Sequence, residues 1–364
     1  MLLKEIISVF EKAAPFALQE SYDNSGLQIG NQDMEVSAAL ICLDVTYEVL
    51  EEALKLKANL IISHHPLIFQ GIKSLTGKNS TEEIIIRAIK SDIAILSIHT
   101  NFDSISEGVS YSICKKLDLR RIRVLDPLKN GLLKLVFFVP VSYAEIVREK
   151  VFDAGAGEIG NYDQCSFNLS GVGTFRAGEE ANPFVGKKSE FHKEEEIRVE
   201  TVIPVALSSK VVSALIKAHP YEEVAYDLYP ILNNNPILGM GMVGELPVEM
   251  SEMEFLTLLK ATFNSGSIRY TTLLKRKIKK VAVCGGSGSF LLNKAIATGA
   301  DVFVSGDFKY HQFFEAENKI LIADIGHYES EQFTKELFYE LLIKNYPKFA
   351  LYLSKVNTNP INYL

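Results

Sequence analysis

Seven histidines occur among the 364 residues, and two of them, His64 and His65, are adjacent in "LIISHHPLIF". Elsewhere "HTNFD" sets His99 four residues before Asp103, and "GHYESE" sets His327 four residues before Glu331. An apolar run closed by Pro66 reads as a buried strand that stops there. The doubled histidine is then either polar filler or one side of a metal site. Neighbouring residues of a strand face opposite ways, so both imidazoles can serve one site only if the strand breaks at Pro66. His64, His65, Asp103, His327 and Glu331 offer three imidazoles and two carboxylates without a thiolate. That donor set suits Zn²⁺, Mn²⁺, Fe²⁺, Co²⁺ or Ni²⁺. Five protein ligands are too many for one ion that keeps an open position. They fit two ions sharing a carboxylate roughly 3.5–4 Å apart, the arrangement of many metallohydrolases. Each piece also has a plainer reading: a histidine at a strand end is commonly a hydrogen-bonded structural residue, and a His/Glu pair four apart on a helix is commonly a solvated surface pair.

The elements around these residues decide whether they can meet. "AALICLDV", "NLIISHH" and "IAILSIHTN" read as strands, separated by the amphipathic helices "TYEVLEEALKLKA" and "TEEIIIRAIKSD". This is βαβ grammar, which implies a mostly parallel sheet with ligands at the carboxyl ends of its strands. The last third repeats it with "KKVAVCGGSGS", "ADVFVSGD" and "NKILIADIGH", followed by a long helix from Tyr328. Cys42, Ala58 and Ser63 align without a gap on Cys284, Ala300 and Ser305, and His99 and Asp103 align on His327 and Glu331. Both halves thus carry a His-x-x-x-carboxylate unit after a strand, as an internal duplication would leave it.

Residues 131–240 interrupt the pattern. A strand "LLKLVFFVPV" and helix "SYAEIVREKVFDAG" precede a hairpin-like stretch "QCSFNLSGVGTFRAG". Then come a polar loop "EEANPFVGKKSEFHKEEE", a strand "IRVETVIPV", a helix and a last strand "YEEVAYDLYPI". That order is the ferredoxin-like split βαβ arrangement, inserted between two similar halves at 1–130 and 241–364. The fold class expected is therefore α/β for the core, with an inserted α+β domain. His192 and His219 fall in the insert and read as structural or loop residues.

Net charge is −7 and the pI about 5.6, which disfavours nucleic acid and anionic membranes as partners. No apolar stretch is long enough to span a bilayer. The N-terminal "MLLKEIISVFEKAAP" is an amphipathic helix rather than a signal peptide. Cys42, Cys114, Cys165 and Cys284 form no C-x-x-C pair. The expectation is a cytoplasmic protein without a disulfide framework.

Seven ordered motifs, "YDNSGLQIG", "LDVT", "ISHHPLIF", "HTNFD", "CGGSGS", "VSGDFKYH" and "DIGHYESE", together resemble the Nif-three-like proteins. This is the dinuclear metal centre family, also known as GTP cyclohydrolase 1 type 2 homologs. The resemblance covers essentially the whole chain, and the insert resembles a PII/CutA-type domain. It implies a two-metal site at His64, His65, Asp103, His327 and Glu331, with Glu331 bridging two divalent ions. It also implies a homohexamer whose metal sites face an internal cavity. Tyr22 stands where the family commonly has Trp.

Two functions follow from this reading. One is a metal-dependent hydrolase acting on a nucleotide-like small molecule. There Glu331 and its neighbours hold the cations, and His99 or His311 carries a proton. Gly285, Gly286, Ser287 and Gly288 of "CGGSGS" would cradle an anionic group on free N–H donors. The other is a metal-binding oligomeric scaffold or small-molecule sensor without turnover, whose inserted domain reports to partners.

Overall fold

In the computed structural model all 364 residues are described. They form two compact units, one of residues 1–126 with 237–364 and one of residues 127–236. The division falls at 127 and 236 rather than at 131 and 240, and a strand runs across each boundary (Arg120–Leu128 and Asn235–Ser251).

The larger unit holds two sheets. In the first the order is β1-β4-β3-β2-β15, with β1 at Gly26–Ile29, β2 at Ala38–Cys42, β3 at Leu60–Ser63, β4 at Ala94–Ser97 and β15 at Ala350–Leu353. Strands β15, β2, β3 and β4 are parallel, and β1 closes the edge antiparallel to β4. Every residue of β2, β3 and β4 is buried, as expected of strands covered on both faces. Alternation sorts them: Ala39, Ile41, Leu60, Ile62 and Leu96 pack with Ile6, Phe10 and Phe338. Leu40, Cys42, Ile61 and Ile95 pack on the other side with Val49, Leu50, Ile84 and Ile85.

The second sheet has the order β11-β14-β13-β12-β10-β5. Here β5 is Arg120–Leu128, β10 Asn235–Ser251, β11 Arg269–Tyr270, β12 Lys277–Ser287, β13 Val302–Gly306 and β14 Leu321–Asp324. Three parallel strands, β12, β13 and β14, again carry a short antiparallel strand at the β14 edge. The same order of three parallel strands plus an antiparallel edge thus occurs in each half, on the strands that the sequence offsets pair.

The long helix expected from Tyr328 is two helices, His327–Glu331 and Thr334–Asn345. At the break Gln332 Nε2 donates to the carbonyls of Glu329 and Phe263, and Ser330 Oγ donates to that of His327. Such side-chain bonds compete with the helical ladder. The short first helix carries His327 and Glu331 at the end of β14.

The smaller unit is a four-stranded antiparallel sheet in the order β7-β8-β6-β9, with β6 Leu132–Pro140, β7 Ser166–Arg176, β8 Phe191–Pro204 and β9 Tyr226–Pro230. Helices Ala144–Asp153 and Ser208–Ala218 bury Val147, Val151, Val211 and Leu215 against Leu135, Phe137, Val139, Val199 and Ile203. Two local readings change here. "QCSFNLSGVGTFRAG" is not a hairpin but contains one strand, β7, which pairs with β8 along its length. The "FHKEEE" assigned to a loop is the start of β8, where the ladder to β7 supplies the order that its charges concealed.

Phe338 lies beneath the site-bearing strands, fully buried, with ring centroids 5.3 Å from Phe10 and 5.0 Å from Phe102. Phe338→Ala should destabilise the chain by about 3–5 kcal/mol through lost burial and a residual cavity. Urea unfolding monitored by circular dichroism measures this, and a loss below about 1 kcal/mol contradicts the packing described.

Candidate metal centre

The five expected ligands converge at the carboxyl ends of the parallel strands of both sheets. The chain leaves β3 at Ser63, before Pro66, with the amides of His64 and His65 donating to Cys42 O and Leu43 O at 3.3 and 2.9 Å. This early departure lets two adjacent imidazoles share one space, their ring centroids 5.0 Å apart. Asp103 closes the short helix Thr100–Asp103 after β4.

Each imidazole is held by Nδ1 and presents Nε2. His64 Nδ1 donates to Ile98 O at 2.8 Å, His65 Nδ1 to Asp44 Oδ1 at 2.7 Å, and His327 Nδ1 to Asp307 Oδ2 at 2.6 Å. This is how metal-ligating histidines are commonly oriented, because the outer hydrogen bond fixes the tautomer and leaves the Nε2 lone pair free. The Nε2 atoms turn toward one carboxylate. Glu331 Oε2 lies 2.9 Å from His65 Nε2 and 3.0 Å from His327 Nε2, while Oε1 lies 3.8 Å from His64 Nε2. Asp103 Oδ1 is also 3.8 Å from His64 Nε2. Two of the three-residue groups that result, His64/Asp103/Glu331 and His65/His327/Glu331, share Glu331.

This geometry fits a cation better than a hydrogen-bonded cluster. His64 Nε2 and Asp103 Oδ1 are buried and have no hydrogen-bond partner. An orphaned buried polar atom costs about 1–3 kcal/mol, yet 3.8 Å is within the separation of two donors each about 2.0–2.2 Å from one ion. The Nε2 atoms of His65 and His327 stand 3.2 Å apart. In the Nδ1–H tautomers those lone pairs face each other and a carboxylate, an arrangement that needs a positive charge between them. Burial opposes charge on His65, but the Asp44 and Glu331 carboxylates outweigh it and push the imidazole up to about 10. Burial likewise opposes charge on His327, and Glu331 and Asp307 push it up to about 11. Burial, reinforced by the Glu331 carboxylate, pushes Asp103 up to about 7. Glu331, although burial opposes it, is held well below the usual range by His327, His64 and His65.

His99 joins the periphery of the site. Its Nδ1 donates to the buried Asp23 Oδ1 at 2.7 Å, and it groups with His64 and His65. Asp23 Oδ2 accepts from Thr100 Oγ1 at 2.5 Å and from Ser25 Oγ at 2.8 Å, so "YDNSG" is more than a turn. Tyr22 is 64% exposed, its ring centroid 6.4 Å from that of Phe69.

Two other sequence assignments find a different setting. His311 is exposed, makes ring contacts with Tyr310 and Phe314, and belongs to none of the ligand groups. After β13 the chain enters the 3-10 segment Tyr310–Ala316, so the residue does not follow the path that His64 takes after β3. The amides of Gly285, Gly286 and Gly288 are not free donors: they donate to Ser110 Oγ, Ser330 Oγ and Ser305 Oγ at 3.3, 2.9 and 3.0 Å. The glycines instead provide room. A Cβ on Gly286, whose φ is +59°, would stand 2.3 Å from Glu331 Oε1. Asp44 and Asp307, which orient two of the ligands, carried no assigned role in the sequence reading. A carboxylate just past the end of a strand neighbouring a ligand-bearing strand was the available signal.

An α/β core with strand ends converging on imidazoles and a buried shared carboxylate defines a candidate metal-binding protein. The sequence pattern of Duf34/NIF3 (NGG1p interacting factor 3) matches residues 1–360, and the chain belongs to that family. It is 39% identical over 364 residues to the "GTP cyclohydrolase 1 type 2 homolog" of Halalkalibacterium halodurans, covering 99% of this chain and 98% of that one. The Bacillus subtilis protein of the same name is 37% identical over 367 residues, with 99% and 98% covered. Among solved structures, the Bacillus cereus protein related to NIF3 superposes with a TM-score of 0.86 at 39% identity, covering 100% of this chain and 99% of that one. The Staphylococcus aureus protein SA1388 gives 0.78 at 30% identity, with 100% and 99% covered.

Two outcomes follow from the geometry. Gly286→Ala should weaken divalent-metal binding at least about tenfold by displacing Glu331. Equilibrium dialysis with metal analysis reads this, and unchanged binding contradicts the contact. Because His65 and His327 sit well above 6.5, both carry protons at neutral pH that a cation must displace. Apparent affinity should therefore rise with pH between about 6 and 9, and titration calorimetry in buffers of different ionisation enthalpy should register proton release.

Proposed function

We propose that this chain holds two divalent ions, one at His64, Asp103 and Glu331 and one at His65, His327 and Glu331. On this reading it is a metal-dependent hydrolase of a nucleotide-like small molecule, with Zn, Fe, Mn, Co or Ni as candidate metals. The observation that carries the reading is the division of Glu331, whose two oxygens face different imidazole groups. Two divalent ions held by these residues would supply a nucleophile from water at neutral pH and charge stabilisation for the attacked group.

The chain's own residues perform the remaining tasks. Asp44, Asp307 and Ile98 O keep the three Nε2 atoms aimed, so that little reorganisation accompanies binding. A cavity of about 540 Å³ opens on His65, His99 and His327, bordered by Phe69, Tyr328 and Ile361. Phe69 and Ile361 give it apolar surface for a planar ring. His99, held by Asp23, lines the same cavity and is the proton carrier in this reading. The names of the curated relatives point in the same direction, toward GTP or a related heterocycle.

The βαββαβ order of residues 127–236 and its sheet order support a ferredoxin-like, PII/CutA-type insertion. A homohexamer and a cytoplasmic location complete the reading. Four unpaired cysteines and the absence of any helix long and apolar enough to cross a membrane are compatible with that location. The separately packed unit also favours a second reading, a metal-loaded sensor without turnover.

Metal analysis of the purified protein should return two ions per chain, falling to about one in His65→Ala and toward none in Glu331→Ala. A nucleotide panel including GTP, assayed with each candidate metal, should show turnover that both substitutions abolish. Two ions with no turnover across the panel favour the sensor; unchanged metal content in both variants removes the metal reading itself.

A further inference from the structure

The segment after β15 passes over the metal centre, and no motif singled out in the sequence includes it. Its course is set by β15, which pairs in parallel with β2 so that Leu353 lies opposite Ile41 and the Ser354 amide donates to Ile41 O at 2.8 Å. Past that register the two segments leave the sheet side by side. From the end of β2 at Cys42 the backbone runs on to Asp44, and from the end of β15 at Leu353 it runs on to Thr358. Glu52 fixes the second path, accepting from Ser354 Oγ at 2.5 Å and from the Lys355 amide at 3.0 Å. Thr358 Oγ1 then donates to Asp44 Oδ2 at 2.6 Å, while Asp44 Oδ1 accepts from His65 Nδ1 at 2.7 Å. One residue on, Asn359 Nδ2 donates to Glu329 Oε1 at 3.0 Å, on the helix that carries His327 and Glu331. Asn359, Pro360 and Ile361 line the cavity together with His65, His99 and His327.

A free aspartate can turn about its side-chain torsions, and only one orientation puts Oδ1 in line with His65 Nδ1. Thr358 occupies the other oxygen and removes that freedom. It also keeps Asp44 an acceptor toward both neighbours, which fixes the His65 tautomer with Nε2 unprotonated when a cation is bound. The hydroxyl does no more than this, since it is separated from the Nε2 side of His65 by the whole carboxylate and ring.

We propose that Thr358 is a positioning residue of the metal centre, acting through Asp44 to hold His65 as a ligand, and that the Thr358–Ile361 segment is therefore part of the functional site. The proposal rests on the metal-binding reading above and extends it to a segment distant in sequence from every ligand motif except that of His327.

The test uses the full chain and Zn²⁺ or Mn²⁺ alone, titrated against a chelating indicator. Thr358→Val, close in shape but without the hydroxyl, should weaken one of the two binding steps, that of the ion held by His65, about three- to tenfold. Asp44→Ala should cost about ten- to a hundredfold, the range for an outer partner of a metal ligand. Thr358→Ser should restore wild-type binding. In the Asp44→Ala background, Thr358→Val should add nothing further, since no side chain is left at position 44 for the hydroxyl to orient. The melting temperature of the metal-free protein should differ little among the Thr358 variants. A wild-type chain that binds no metal defeats the underlying reading. A wild-type chain that binds, with Thr358→Val binding equally well or its effect adding fully to that of Asp44→Ala, overturns the proposal. Failure of Thr358→Ser to restore binding also overturns it. If Thr358→Val does not fold, Thr358→Ala enters the same cycle with the same criteria.

Discussion

Glu331 is the constraint around which the larger unit is arranged. Its carboxylate is 4% exposed, and a buried anion is tolerated only with compensating charge and directed hydrogen bonds. Three imidazoles from two parts of the chain provide that compensation, and each is itself pinned at the far nitrogen. Asp44 and Asp307 extend the arrangement outward, so positive and negative groups alternate from the cavity wall to its centre. Such an arrangement is costly to leave half complete, because removing any imidazole exposes Glu331 to its full desolvation penalty. This explains why so many elements end at this place: β2, β3 and β4 of one sheet and β13 and β14 of the other each deliver a residue just past their carboxyl ends. In parallel sheets that is where backbone and side chains are free to turn toward a ligand.

Much of this was legible from patterns with a short physical range. Continuous apolar runs bounded by turn residues mark strands covered on both faces; the candidate ligands His64, His65 and His327 follow them within three residues, and Asp103 and Glu331 each stand four residues after a histidine. His64, His65, Asp103, His327 and Glu331 were therefore readable as a set. Their orienting partners were less accessible. Asp44 meets His65 across 21 residues, and Asp23 meets His99 across 76. An aspartate near a strand end is too common to signal such a role until the strand order is known. Thr358 lies farther still, 314 residues from Asp44 in sequence, and becomes visible only through the β15–β2 register.

The Gly-rich "CGGSGS" shows the opposite failure. Locally it has the composition of a phosphate loop, and free N–H groups after a strand are a sound reason to expect an anion. Whether those groups are free is a tertiary matter, decided by Ser110, Ser330 and Ser305 from three other elements. The start of β8 looks like a loop in sequence for a related reason: charged residues in register with a partner strand are ordered by the ladder, and their polarity says little about mobility.

The two halves align residue for residue around the centre, yet they have diverged in a way that sterics explain. Asp44 corresponds to Gly286 and His65 to Asp307, on the same offset that relates Ser63 to Ser305. At these two positions the first half thus supplies the imidazole of His65 and its orienting carboxylate Asp44, while the second supplies one orienting carboxylate, Asp307, for His327. A second aspartate at position 286 has no place to go, because even a Cβ there would come within 2.3 Å of Glu331 Oε1. The longer glutamate, standing where the first half has Asp103, reaches into the space that an aspartate at 286 would need. An Asp at 331 would vacate that space but would be one methylene shorter toward His64, His65 and His327 at once. Glycine at 286 and glutamate at 331 are therefore one choice rather than two. The departure from twofold likeness is what lets a single carboxylate face both imidazole groups.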